Sequence, residues 1–125
     1  MRARWLERSL MTGPHLTLCT SEAEYLVACR HLKVTPGELW LTDGFPAKTH
    51  ALENEGGNRA CIVCIDVGDG HELAAIAALL VHEAVHVFQQ HRESIGDHTP
   101  SAEGEAYGIQ HIAYQLVSEY MRRTA

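Results

Sequence analysis

One segment sets the terms for the rest of this chain. Residues 71–92 follow a helical period, and residues 73–81 within them are apolar nearly all round. A helix of that kind should be buried and central, with the other elements packed about it. The apolar run falls short of the roughly 18 residues that a membrane span requires.

Punctuation is frequent elsewhere. Residues 1–11 predict a short amphipathic helix around Trp5, Leu6 and Leu10, ended by Gly13-Pro14. Ser21 followed by Glu24 has capping-box spacing, which starts a helix running to about Leu32 with Ala23, Leu26, Val27 and Cys29 as its apolar residues. After the Pro36-Gly37 turn, residues 38–42 read as a short strand. Residues 48–53 alternate loosely, Glu55-Gly56-Gly57-Asn58 is a hairpin signal, and residues 60–67 are a β-rich strand. Ser101 caps a last helix over residues 102–122. Its apolar stripe is Ala106, Ile109, Ala113, Leu116, Val117 and Tyr120, with Arg122 and Arg123 favourably placed at its C-terminal end. No repeat, linker or low-complexity tract divides residues 1–125. They predict one α+β domain, a small antiparallel sheet packed against two long helices.

Composition narrows the function. An apolar share of 46% in 125 residues is enough for a core without disulfide staples and argues against disorder. The net charge of −6 disfavours a sequence-independent grip on nucleic acid or on an anionic membrane. Arg2, Arg4 and Arg8 are not followed by a continuous apolar stretch of the kind a secretory signal has. Cys19, Cys29, Cys61 and Cys64 therefore suggest reduced thiols in a cytoplasmic protein. Cys61-Ile-Val-Cys64 has C-x-x-C spacing, but on a strand its two thiols point to opposite faces, as core residues do.

Nine histidines in so short a chain draw attention to metal chemistry. The central helix contains His82-Glu83-Ala84-Val85-His86, the pattern H-E-x-x-H. Residues at i and i+4 share a helix face, so both imidazoles can reach one ion. Zinc favours imidazole nitrogens with a carboxylate and an open position for water, whose pKa it lowers to about 7. Glu83 stands where it could take the proton of that water and pass it to a leaving group. A third ligand is then needed. The last helix opens with Glu103-Gly104-Glu105-Ala106-Tyr107 and offers two carboxylates on different faces. Glu103 shares a polar face with Tyr107, Gln110 and Tyr114 and is favoured by the polar partners metal ligands need; Glu105, nearer the apolar stripe, is the alternative. Tyr107, Tyr114 and the loop residue His98 are candidates to stabilise an oxyanion. His91 lies about 140° round the helix from His86 and should not share the ion.

His82-Glu83-x-x-His86 followed by a helix-borne Glu103-x-x-Ala106 resembles the gluzincin arrangement of zinc metallopeptidases. Residues 79–120 also resemble small phage and prophage proteins. Those join a histidine–glutamate helix to a Glu-x-x-Ala-Tyr-x-x-Gln helix, read here as Glu103-Gly104-Glu105-Ala106-Tyr107-Gly108-Ile109-Gln110. The resemblance covers about a third of the chain. It implies a minimal zincin-like fold, His82, His86 and Glu103 as zinc ligands, and Glu83 as general base. Tyr107 departs from the pattern, standing where many gluzincins carry an Asp or Asn that orients a ligand histidine. The expected function is zinc-dependent hydrolysis of a peptide or protein lying extended against an edge strand at residues 60–67, with a protein partner as a possible completion of the cleft. The competing reading is a non-catalytic scaffold that keeps a structural metal and binds a phage or host protein.

Overall fold

The computed structural model describes residues 2–6, 14–66, 68 and 70–124. Its elements are β1 (Trp5–Leu6), β2 (His15–Cys19), α1 (Glu22–Leu32), β3 (Ala47–Glu53), β4 (Arg59–Ile65), α2 (Leu73–Ser94) and α3 (Ala102–Thr124). The α+β class is as expected, but the sheet is mixed and not antiparallel. The strand order is β1-β2-β4-β3, and β2 pairs with β4 in parallel, Leu16 opposite Cys61 and Leu18 opposite Val63. The chain between β2 and β4 contains α1 and β3, long enough to bring it back in the same direction. Trp5 and Leu6, expected in a helix, are a short strand paired antiparallel with β2; residues 7–11 of that expected helix lie outside the described residues. Residues 38–42 form bends, with no strand.

Local chemistry explains the element ends. Ser21 Oγ accepts the Glu24 amide at 3.2 Å, as a capping box requires. The Glu24 carboxylate reaches one residue further back than the motif predicts, accepting from the Thr20 amide at 2.7 Å and its hydroxyl at 2.9 Å. The hairpin turns at Gly57, whose φ of +82° favours glycine, and Asn54 Oδ1 accepts the Asn58 amide across the turn. Ser101 Oγ accepts the Gly104 amide at the start of α3.

The sheet separates two cores. Leu16, Leu18, Cys61, Val63 and Ile65 face α2 and α3, while Cys19, Ile62 and Cys64 face α1 through Tyr25, Ala28 and Cys29. Cys61 and Cys64 thus point to opposite faces, and all four cysteines are buried. The hydrogen bond with Cys19, and then burial, push the Cys64 thiol far up its scale. The molecule has three layers, α1, sheet, then the α2–α3 pair.

α2 differs from the helix the sequence suggests. Its best 18-residue window has a mean hydropathy of 1.3, long and apolar enough by length and composition to cross a membrane. In the fold it packs one stripe, Ile76, Leu80, Ala84, Val87 and Phe88, into the core. Leu73, Ala74, Ala78 and Val81 lie exposed on its outer side. The helix covers one side of the sheet and is not surrounded.

α3 approaches α2 closely at Gly108, where a Cβ would fall 2.7 Å from Phe88 Cδ1. Gly108→Ala should therefore lower stability by about 1–3 kcal/mol, although alanine is the better helix former by about 1 kcal/mol. Thermal unfolding of the variant checks this; a raised melting temperature would show that Phe88 swings aside freely.

The two basic residues at the end of α3 do more than face a helix dipole. Glu119, 3% exposed, accepts from Arg122 at 2.8 and 2.9 Å and from Arg123 Nε at 2.8 Å, and pairs with Arg4 at 3.0 Å. Arg123 continues to both Glu24 oxygens at 2.9 Å and to the Leu18 carbonyl at 2.8 Å. One buried carboxylate and one guanidinium so join α3 to α1, β2 and the chain preceding β1.

Candidate active site

Alternation along β3 turns Ala47, Thr49, Ala51 and Glu53 toward α2, and His50 toward Tyr25 in the α1 layer. On α2 the flank that meets β3 carries His82, Glu83, His86 and Gln90. Together Ala47, Lys48, Thr49, Ala51 and those four helix residues line a cavity of about 290 Å³. The structure therefore brings all three polar residues of the H-E-x-x-H motif to one groove, beside an edge strand. That strand is β3. The expected edge strand, β4, is central, with β2 on one side and β3 on the other.

Within the groove the three residues differ in environment. Glu83 is only 5% exposed. Its Oε1 accepts a hydrogen bond from Thr49 Oγ1 at 2.8 Å, a bond from edge strand to helix, while Oε2 stands 4.0 Å from His82 Nε2. The imidazoles are outside in solvent, His82 with 68% of its side chain exposed, and their ring centroids are 5.0 Å apart in a T-shaped arrangement. His86 Nδ1 lies 3.0 Å from Gln89 Oε1. An amide oxygen only accepts, so Nδ1 carries the proton and the Nε2 lone pair is free for a ligand.

Thr49 is the groove residue that sequence reasoning missed. The available signal was a hydroxyl on the inward face of an alternating strand, opposite a helix that buries a carboxylate. No local pattern specifies which strand meets which helix.

The α3 candidates stand elsewhere. A seven-residue connection joins α2 to α3, so the helices run antiparallel, and Phe88 against Gly108 fixes their register. Counting from that contact puts Glu103 level with Glu93, about 10 Å along the axis beyond His86 at 1.5 Å per residue. Phe88 lies about 120–160° round α2 from the two imidazoles, so α3 packs on the flank away from them. Glu103, Glu105 and Tyr107 are exposed in the first two turns of α3 and do not line the groove; Tyr107 and Tyr114 are 65% and 72% exposed. His98 is exposed in the connecting loop, where its carbonyl accepts from Arg92 at 3.4 Å. His91 is buried against Phe88, away from the pair as expected.

Zinc takes imidazole nitrogens and carboxylate oxygens, usually in a tetrahedral set. His82 and His86 suit it, with the right spacing, a free Nε2 on His86 and a tethered carboxylate alongside. A third protein ligand is not brought to them: among the described residues no three His, Cys, Asp or Glu side chains converge as a metal group. No protein-family model, no curated protein and no solved structure matches this chain.

Proposed function

We propose that this protein is a zinc-dependent hydrolase of peptide bonds, working in the groove between α2 and β3. The observation that carries the reading is Glu83, a buried carboxylate tied to the edge strand by Thr49 and opening beside two exposed imidazoles at ligand spacing. His82 and His86 would hold the metal, which supplies Lewis acidity and an acidified water when bound. Glu83 has one oxygen fixed by Thr49, so the other is the one that takes a proton from water and returns it to the departing amine. β3 offers its outer edge to an extended peptide, which would pair with it as an added strand. Glu103 remains the proposed third ligand by resemblance, and its engagement would require the start of α3 to reach round toward His86. A partner protein could supply that donor instead.

A second reading is favoured by the same displacement. With α3 on the far flank, the scaffold could bind a phage or host protein and hold a metal without turnover. One experiment separates them. Hydrolysis of a quenched peptide library should depend on added zinc, stop with a chelator and be absent from His82→Ala. Zinc binding without hydrolysis of any library member would leave the binding scaffold as the function.

A further inference from the structure

The groove does not end at the imidazoles. A second cavity, of about 210 Å³, shares Ala51 and Gln90 with the first, so the two form one trough along β3. From the motif the trough follows Ala51 and Glu53 on the strand side and Gln90 and Glu93 on the helix side, and its far end opens over β4 at Arg59, Ala60 and Cys61. The steps are regular, alternate residues on the strand and every third or fourth on the helix, so the two walls stay in register. The far end carries charge. Arg59 is paired with Glu53 at 3.4 Å, and Glu93 has no ion-pair partner among the described residues. That end therefore holds one surplus negative charge at a cavity wall, with the small side chain of Ala51 leaving room before it.

We propose that the trough is a specificity subsite for an extended peptide carrying an arginine or lysine. The inference rests on the reading above for the position of the cleaved bond. A peptide paired with β3 sends alternate side chains toward α2. From Thr49, beside Glu83, to Glu53 is four residues, or about 13 Å of strand. The basic side chain is thus the one about four residues to one side of the scissile bond. It meets the Glu93 carboxylate, and its aliphatic stem lies along Ala51 and Gln90. Charge complementarity selects this occupant, because Arg59 already offsets Glu53 and an acidic side chain at the same place would face the surplus charge of Glu93.

The test is an arginine walk. Acetylated, fluorescein-labelled decapeptides of alanine and threonine carry one arginine at each position in turn, so charge and length stay constant. Binding to Glu83→Gln protein is followed by fluorescence anisotropy at low salt, where no turnover intervenes. One arginine position should bind about tenfold more tightly than the others, and Glu93→Gln should flatten the profile. Glu93→Lys should move the preference to a peptide with glutamate at that position, which a merely damaged fold would not do. A flat arginine profile, the absence of any peptide binding, or a preference that survives Glu93→Gln overturns the proposal. A flat arginine profile with peptide still bound overturns the subsite and leaves the hydrolase standing; peptides that bind in register but are never cleaved by wild-type protein would sink the hydrolase and leave the subsite standing.

Discussion

Glu83→Gln should reduce peptide hydrolysis by about 10²–10⁴-fold, the range expected when a general base is removed. The zinc content should not change. Glutamine keeps the shape of the side chain and can still accept from Thr49 Oγ1 through its amide oxygen, so the groove stays as it is. What it loses is the second oxygen that opens toward His82 and can carry a proton. The two imidazoles keep their positions because they are held by the helix, and His86 by Gln89. Steady-state rates beside metal analysis check both halves. A variant that hydrolyses as well as wild type would remove Glu83 as the base; one that loses zinc would make Glu83 a ligand.

The second large effect concerns stability. Glu119→Ala should cost about 2 kcal/mol, below the usual loss for breaking a fully buried pair because Arg4 and Arg122 are half-exposed. In a domain of this size that lowers the melting temperature by roughly 6–10 °C. The effect has a pH signature. Arg122, then Arg123, hold the Glu119 carboxyl well below the usual carboxylate range, at about 2. A carboxylate depressed in the folded state contributes stability that is complete above its unfolded pKa, near 4.5, and is lost as pH falls through about 2. The melting-temperature gap between wild type and Glu119→Gln should therefore be widest at neutral pH and close between about pH 4.5 and 2. A gap that persists unchanged down to pH 2 would mean the clasp acts through packing and not charge.

The sequence made the local features legible and left the long-range ones obscure. The helix caps at Ser21 and Ser101, the glycine hairpin and the extents of α1, α2 and α3 follow from residues a few positions apart. The opposed cysteines follow from strand alternation alone. β1 and β2 escaped notice because the described residue pair Trp5–Leu6 is too short to show a period, and His15–Cys19 is buried at four of its five positions, leaving little alternation. Without β2 the parallel pairing cannot be foreseen, and β4 reads as an edge strand. The motif on α2 needed only i and i+4 spacing, and the helix delivers it. A third ligand on α3 depends on which flank the two helices share. That is decided by Gly108, where the absent side chain admits Phe88 and sets both register and rotation. The polar face of Glu103, Tyr107, Gln110 and Tyr114 is coherent, as its spacing predicts, and it faces solvent.

The same contrast explains Glu119. Two arginines at the end of a helix suggest a dipole effect worth tenths of a kcal/mol. The structure gives them a buried carboxylate and a second acid from α1, 99 residues earlier in the chain. No periodicity in one segment reports a partner at that separation.

The central claim is that His82 and His86 hold a metal with Glu83 as its base. Elemental analysis of purified wild-type protein beside His86→Ala tests it most directly. The account predicts about one zinc per chain in the wild type, lost in the variant, with a wild-type melting temperature raised by added zinc because binding stabilises only the folded state. No zinc in either protein, even after zinc is added back, would contradict it.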